Sequence, residues 1–403
     1  MADWPNDHLG TYLTFRNGKK SPDRDDAARY PVFGSNGTIG RSNDTNADEN
    51  TIVIGRVGTY CGSLHFSKGP CWVTDNAIAC STPQEEARFW FYALSSLELN
   101  NYRAGSGQPL LNQSILKQIS YGVPPADHRK AIGEMLGTLD DKIELNRQTN
   151  ETLEAMARAF FKDWFVDFGP TRAKAEGRSP YLVPTLWDLF PDALDDEDKP
   201  VGWKSGSIGD LADTNDQSWT ARNHPPLVEY VDLSNAKWGN IDAITTLAWE
   251  DAPSRARRIA KTGDTIVGTT RPGNGSFAYV SQEGLTVSTG FAVLSPREAI
   301  YRDVVHIAAT RPDNIDRLAN LAEGHGGAYP AVKPNEVSDT ELVLPGKTIL
   351  SVFAELVSPL RAKIEHAKAE SRSLAQTRDL LLPKLMSGES RIHDVEKAVE
   401  AIA

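Results

Sequence analysis

The stretch PPADHRKAIGEMLGTLDDKIELNRQTNETLEAMARAFFKDWF (124–165) decides the architecture of this 403-residue chain. After its two prolines it is almost free of helix breakers. Its stripe positions advance by fours and threes: Ile132, Leu136, Leu139, Ile143, Asn146, Asn150, Leu153, Ala157, Phe160, Trp164. That is a heptad stripe. A second stretch follows Pro345-Gly346 and reads Phe353, Val357, Leu360, Ile364, Ala367, Ser371, Leu374, Arg378, Leu381, Leu385, every position 221 residues after its partner. At about 1.5 Å per residue, the helix from Ile132 to Trp164 is about 50 Å long. A stripe of that length needs a partner to cover it, and the two copies suit one another as an antiparallel pair. Asn146, Asn150, Ala367 and Ser371 then face one another at the middle, where small residues relieve crowding and amides fix register.

The duplication extends outward from the helices. Trp4 followed by Leu9-Gly10 matches Trp203 followed by Ile208-Gly209, TIVIGRVGTYCGS (51–63) matches TIVGTTRPGNGS (265–276), and VTDNAIA (73–79) matches VSTGFAV (287–293). The matches are colinear, with offsets that grow stepwise as loops gain residues. Two copies, about 4–168 and 203–389, are too few for a solenoid and imply pseudo-two-fold symmetry. Each copy opens with Gly, Asn, Ser and short β-branched runs, a strand-and-turn pattern, and closes with the helix. The expected fold is α+β: two pseudo-symmetric domains (1–125 and 200–346) joined by two long antiparallel α-helices forming a coiled-coil spacer (126–168 and 347–390). The proline-rich, acidic segment 169–199 reads as a surface crossover, and 391–403 as a tail.

Composition narrows the function. Apolar residues are 40% and charged residues 24%, ordinary for a folded soluble protein. No apolar run reaches membrane-spanning length, and the N-terminus lacks the basic and apolar regions of a signal peptide. Cys61, Cys71 and Cys80 are odd in number and contain no Cys-x-x-Cys pair, which argues against a disulfide framework or a zinc site. The net charge is −11, unfavourable to nucleic acid taken as a whole. Its distribution is uneven: −1 over 1–125, −6 over 126–199, −5 over 200–346 and +1 over 347–403.

Several segments resemble one known family. LEAMARAFFKDWFVDFGP (153–170) and TRDLLLPKLMSGESRI (377–392) resemble the central and C-terminal helical regions of type I restriction–modification specificity subunits. PVFGSNGTIG (31–40) with IGRVGTYCGSLHFSKG (54–69) resembles their first target-recognition domain; YVDLSN (230–235), DAPSRARR (251–258) and GDTIVGTTRPGNG (263–275) resemble the second. The resemblance implies a subunit without an active site that reads a bipartite double-stranded DNA target, one half-site per domain. It also implies recruitment of two methyltransferase subunits, which use S-adenosylmethionine, and of ATP- and Mg-dependent endonuclease/translocase subunits. It places the chain in the cytoplasm of a bacterium or archaeon, with no cofactor or metal of its own.

The motifs agree with a non-catalytic role. The nearest string to an adenine-methyltransferase motif is Asn223-His224-Pro225-Pro226-Leu227, broken by the His and lacking the aromatic. No phosphate-binding GxxxxGK[ST] loop occurs, and Asp195-Asp196-Glu197-Asp198 reads as a solvated acidic run. Candidate DNA contacts are Arg255, Arg257 and Arg258 in SRARRIAK, where the preceding Asp-Ala-Pro-Ser looks like a helix start aimed outward. Arg56 and Arg271 join them in roughly equivalent Gly-flanked turns, with Asn36 in a Ser-Asn-Gly turn. So do Ser106, Gln108, His325 and Tyr329 in two polar loops that end in proline. Arginine suits phosphate or guanine, and asparagine suits adenine; a solvated face or an ordinary turn is the alternative for each. Ile132, Leu139, Ile143, Phe160, Trp164, Phe353, Leu360, Ile364, Leu381 and Leu385 are the candidate spacer and partner-binding positions. The rival functions are an interaction protein that sequesters methyltransferase subunits without specific DNA recognition, and a self-sufficient DNA-modifying enzyme.

Overall fold

Short β-branched runs flanked by glycine build the same sheet twice. The computed structural model describes residues 4–103 and 110–389. The chain divides into two units, Met1–Asn146 with the chain from Ala369 onward, and Arg147–Lys368. In the first unit a four-stranded antiparallel sheet has the order Thr14–Asn17, Ala77–Ser81, Thr51–Gly55, Leu64–Ser67. In the second the order is Ala212–Thr214, Phe291–Pro296, Thr265–Gly268, Phe277–Tyr279. These are matching strands in matching order.

Residues Thr51–Gly55 are buried on both faces, so they form a continuous apolar run rather than an alternating one. Ile52, Ile54 and Ile78 pack against Phe89, Trp90, Ile132 and Leu136 on the helical side. Val53 and Ala79 face a smaller sheet through Phe33, Cys71 and Val73. The second unit is layered likewise: Val267, Ala292 and Leu294 on the helical side, Ile266 and Val293 on the other. The small sheet of each unit contains a parallel pair, Val32 with Trp72 and Tyr230 with Thr286. All three cysteines are buried free thiols.

The long helices run Ala126–Phe161 and Lys347–Met386. Within the first unit they lie antiparallel: Arg378 Nη1 donates to Asp140 at 2.7 Å, and Asn146 Nδ2 donates to Ser371 Oγ at 3.2 Å and Glu370 at 2.6 Å. Asn146 meets Ser371 as the stripe predicted. Within the second unit Phe161, Trp164 and Phe165 stack their rings about Phe353, again antiparallel. Ile132, Leu139, Trp164, Phe353, Ile364 and Leu385 are buried, whereas Ile143, Phe160, Leu360 and Leu381 are half-buried. Near the end of the first helix the strict heptad fails. Phe161, four residues after Ala157, enters the core rather than Phe160, and a π-turn follows at Lys162–Val166.

Two expectations are corrected. The segment after the first long helix is no simple surface crossover: it forms a helix, Gly169–Ala175, buries Thr171, Ala173 and Trp187, and sends Phe190 into the core of the second unit. Nor does Asp-Ala-Pro-Ser start a helix. Ala256–Ala260 is a strand paired with Leu285–Ser288, with a register shift between Ala256 and Arg258. No described helix is long and apolar enough to cross a membrane.

Candidate nucleic-acid interface

In the first unit, strands Tyr30–Gly34 and Gly37–Ser42 are joined at Ser35-Asn36, leaving the Asn36 side chain exposed. Ser35 Oγ donates to the Asn76 carbonyl at 2.6 Å, and the Arg56 backbone N–H donates to the same oxygen at 2.9 Å. Asn36 and Arg56 therefore share one corner of the unit. Arg56 Nε is buried, with no acceptor among the described residues. Ser106 and Gln108 lie outside the described residues; just after them Leu110 pairs with Val57, and the Leu111 N–H donates to the Arg56 carbonyl at 3.1 Å.

Sheet pairing sets the correspondence between the units. Gly55 opposite Ala77 matches Gly268 opposite Phe291. Arg56 then corresponds to Thr269, and Arg271 to Gly58, so the two arginines are neighbours in pattern but not equivalent in place. The missing residue in the second strand displaces the apparent match.

Arg271 is held in the left-handed region at φ 48°. Its N–H donates to the Pro330 carbonyl at 2.8 Å, its Nη2 to the Ala328 carbonyl at 3.3 Å, and its guanidinium sits 5.4 Å from the Tyr329 ring centre. The Tyr329 ring is 74% exposed. A cavity of about 240 Å³ opens beside them, lined by Arg271, Asn274, Ala319, Glu323 and Pro330. His325 supports the loop: Nδ1 is 3.0 Å from the Ala331 carbonyl and Nε2 3.3 Å from Glu336. The structure thus brings Arg271, His325 and Tyr329 together.

The three arginines of SRARRIAK have different surroundings. Arg255 donates to Tyr230 Oη at 3.1 Å and to Asp232 Oδ2 at 2.5 Å through Nη2. Burial opposes the Asp232 charge, but the hydrogen bonds from Arg255 and Tyr230 outweigh it and hold the carboxyl below the usual range. Arg257 lies 4.3 Å from the Trp249 ring centre, and His224 stacks on that ring at 4.2 Å. Two groups that close cannot share one face, so Trp249 is sandwiched between them. The Asn-His-Pro-Pro string is therefore part of a stacking contact. Arg258 is half-buried, its pKa lowered by burial, with no acceptor for Nε among the described residues and Nη2 3.4 Å from the Thr289 carbonyl. Thr289 N–H in turn donates to the Arg255 carbonyl at 2.8 Å, and the next carbonyl, of Gly290, accepts from Thr269. One turn, Thr289-Gly290, links both groups of candidates. The acidic run is spent on local bonds: Asp195 accepts from the N–H groups of Glu197 and Lys199, and Asp198 pairs with Arg172.

Sequence reasoning missed the hairpin Ala236–Lys237 to Asn240–Ile241, with Trp238-Gly239 at its tip. Lys-Trp-Gly-Asn carries a turn signal in its glycine, which the bulky Trp obscured. Trp238 is 64% exposed.

Residues 3–155 match the family model for the type I restriction modification DNA specificity domain. The HindI specificity subunit of Haemophilus influenzae is 25% identical over 364 residues, covering 75% of this chain and 77% of its own length. The MjaIX specificity subunit of Methanocaldococcus jannaschii is 23% identical over 337 residues, covering 77% and 70%. In fold the chain is similar to the crystal structure of the type I system S subunit from M. genitalium, with TM-score 0.60 and 15% identity over 95% of this chain and 96% of that one. Residues 3–155 thus match a type I restriction modification DNA specificity domain, and over about three quarters of its length the chain is similar to specificity subunits of type I restriction–modification systems.

Proposed function

We propose that each unit reads one half of a bipartite DNA target, with recognition domains at 1–125 and 200–346 and the long helices (126–168 and 347–390) setting the gap between half-sites. The observation that supports this most is the identical strand order of the two sheets, which gives two readers of one design carrying different surface residues. Asn36 and Arg56 would serve the first half-site, with Ser106 and Gln108; Arg255, Arg257, Arg258, Arg271, His325 and Tyr329 would serve the second. Arg56 and Arg258 are arginines whose Nε has no acceptor among the described residues, and the exposed ends of such guanidinium groups suit phosphate contacts. Two methyltransferase subunits dock on the long helices, where Leu145 and Leu380 stay exposed, and endonuclease/translocase subunits join that assembly in the cytoplasm.

Co-expression with the methyltransferase partner, followed by mapping of methylated adenines, tests the reading. The expected result is an asymmetric two-part motif with a fixed gap, shortened when one heptad is deleted from each helix. An undivided motif, or methylation without sequence preference, overturns it; an unchanged gap after the deletions overturns the ruler.

A further inference from the structure

We infer that Trp238 is a DNA-contacting residue of the second unit, acting with Arg271 and Tyr329 as an aromatic and cationic clamp; this rests on the reading just proposed. Trp238 and Gly239 both have positive φ, 46° and 87°, the type I′ arrangement of a two-residue hairpin. That position favours Asn or Gly, and a bulky residue there is an outlier. The tryptophan is not excused by burial, since most of its surface faces solvent. Neither turn chemistry nor core packing accounts for it.

The surroundings hold the indole still while leaving it open. The Trp238 N–H donates to the Gly275 carbonyl at 2.7 Å, and the Gly239 N–H to Phe277 at 2.9 Å. Lys368 Nζ donates to the Gly239 carbonyl at 2.8 Å. Lys237 Nζ reaches Ser276 Oγ at 3.2 Å and the Asn274 carbonyl at 3.3 Å. The indole lies directly on Gly275, where a Cβ would stand 2.4 Å from it, and meets the Phe277 ring edge-on at 5.8 Å. Gly275 ends the turn that Arg271 begins. That turn meets Trp238 at Gly275 and Tyr329 at Arg271, and Lys237 binds it at Asn274. Strained, rigid, exposed positions of this kind gather at binding sites. Exposed rings beside cations suit sugars and thymine methyl groups in a groove next to phosphates.

The test uses the full chain assembled with its methyltransferase subunits and a duplex library of randomised sequence. Trp238→Asn removes the ring yet favours the turn, so weakened binding cannot be assigned to a collapsed hairpin; Trp238→Phe keeps a ring. The W238N complex is expected to assemble normally and to select a motif degenerate in one half only. It should bind the wild-type motif roughly tenfold more weakly, the scale of losing one good groove contact, with W238F recovering most of the loss. An unchanged motif and affinity for W238N overturn the inference and leave the bipartite reading intact. Failure of W238N to assemble also overturns it, since the ring would then be a subunit contact. A wild-type complex that selects no motif overturns both.

Discussion

The two units share a sheet order but fasten a short helix to the long helices with opposite charges. In the first, helix Ala87–Ser95 presents Arg88, which donates to both carboxylate oxygens of Asp141 at 2.9 and 2.7 Å. The guanidinium crosses Gly137, where a Cβ would stand 2.1 Å from it. In the second, helix Arg302–Thr310 presents Asp303, which accepts from Ser358 Oγ at 2.7 Å and from Arg361 Nε at 3.3 Å. Gly137 and Ser358 are 221 residues apart, as are Asp140 and Arg361, so the partner of Arg88, Asp141, stands one place beyond the residue that matches Arg361; Arg88 and Asp303 are each the second residue of corresponding helices. The base sits on the short helix in one unit and on the long helix in the other. Duplication preserved the docking geometry and left its charges free to change in complementary pairs. A consequence is that each short helix suits only its own long helix: Asp303 against Asp140, or Arg88 against Arg361, would set like charges together.

Burial makes the two clasps unequal, and substitution should expose the difference. Asp303 and Arg361 are 2% and 5% exposed, and Arg361 also faces Glu154 at 3.6 Å and the Tyr279 ring at 5.3 Å. Arg361→Met keeps the volume but strands a buried carboxylate, with an expected loss of about 3–5 kcal/mol. Arg88→Met acts on a partly exposed pair in which Asp141 retains Lys68 at 2.6 Å, so the loss should stay below about 1 kcal/mol. Denaturant titration with hydrogen exchange resolved by unit checks both. Equal losses would show that burial does not set clasp strength.

Acidity should separate the units by a smaller amount. Asp264, just before strand Thr265–Gly268, is 2% exposed, and burial raises its pKa to about 6, partly offset by the Lys261 N–H at 3.0 Å. By the sheet pairing Asn50 precedes the matching strand in the first unit, without a charge. A carboxyl whose folded pKa lies above its unfolded value of about 3.9 keeps its proton longer in the native state. The second unit therefore loses stability as pH rises from about 4 to about 6 and stays flat above. Asp264→Asn should remove that slope and stabilise the unit by about 2 kcal/mol at pH 7.5, with little gain at pH 4. Thermal unfolding across that range measures it, and a gain independent of pH would assign the effect to packing instead.

What the sequence revealed followed periodicity, and what it hid depended on distant pairing. The stripe from Ile132 to Leu139 and its repeat through Phe353 and Ile364 were legible because heptad spacing is local and appeared twice. Thr51–Ile54 and Thr265–Val267 were legible as β-branched runs between glycines. Ala256–Ala260 was not, because Asp-Ala-Pro-Ser satisfies the local rule for a helix start while the deciding partner, Leu285–Ser288, lies about thirty residues on. Phe190 was hidden in a proline-rich acidic segment, and its burial is set by the core of the second unit. Among the candidate DNA-binding residues, Arg271 and Tyr329 could be named from their loops, but their mutual stacking could not. The ion pair of Arg255 with Asp232 likewise joins residues on different strands and is invisible in order alone.

That ion pair gives the finest contrast between the two candidate surfaces. By the parallel pairing of the small sheets Asp232 corresponds to Gly34, so the Arg255–Asp232 pair stands where the first unit has the uncharged Ser35-Asn36 turn. Arg255→Ala should change stability by less than about 1 kcal/mol, because its side chain is 57% exposed. Its effect on DNA should exceed the removal of a single cation: the guanidinium goes, and the Asp232 charge is uncovered beside the phosphates. Adding Asp232→Asn should restore part of the affinity while the salt slope stays lower by about one, as expected when one phosphate is no longer neutralised. Asn36→Ala should leave the salt slope unchanged and relax at most one base of the first half-site. Affinities measured across salt concentrations decide between them; an Asn36→Ala slope that falls like that of Arg255→Ala would mean that the two surfaces bind alike despite their different charge.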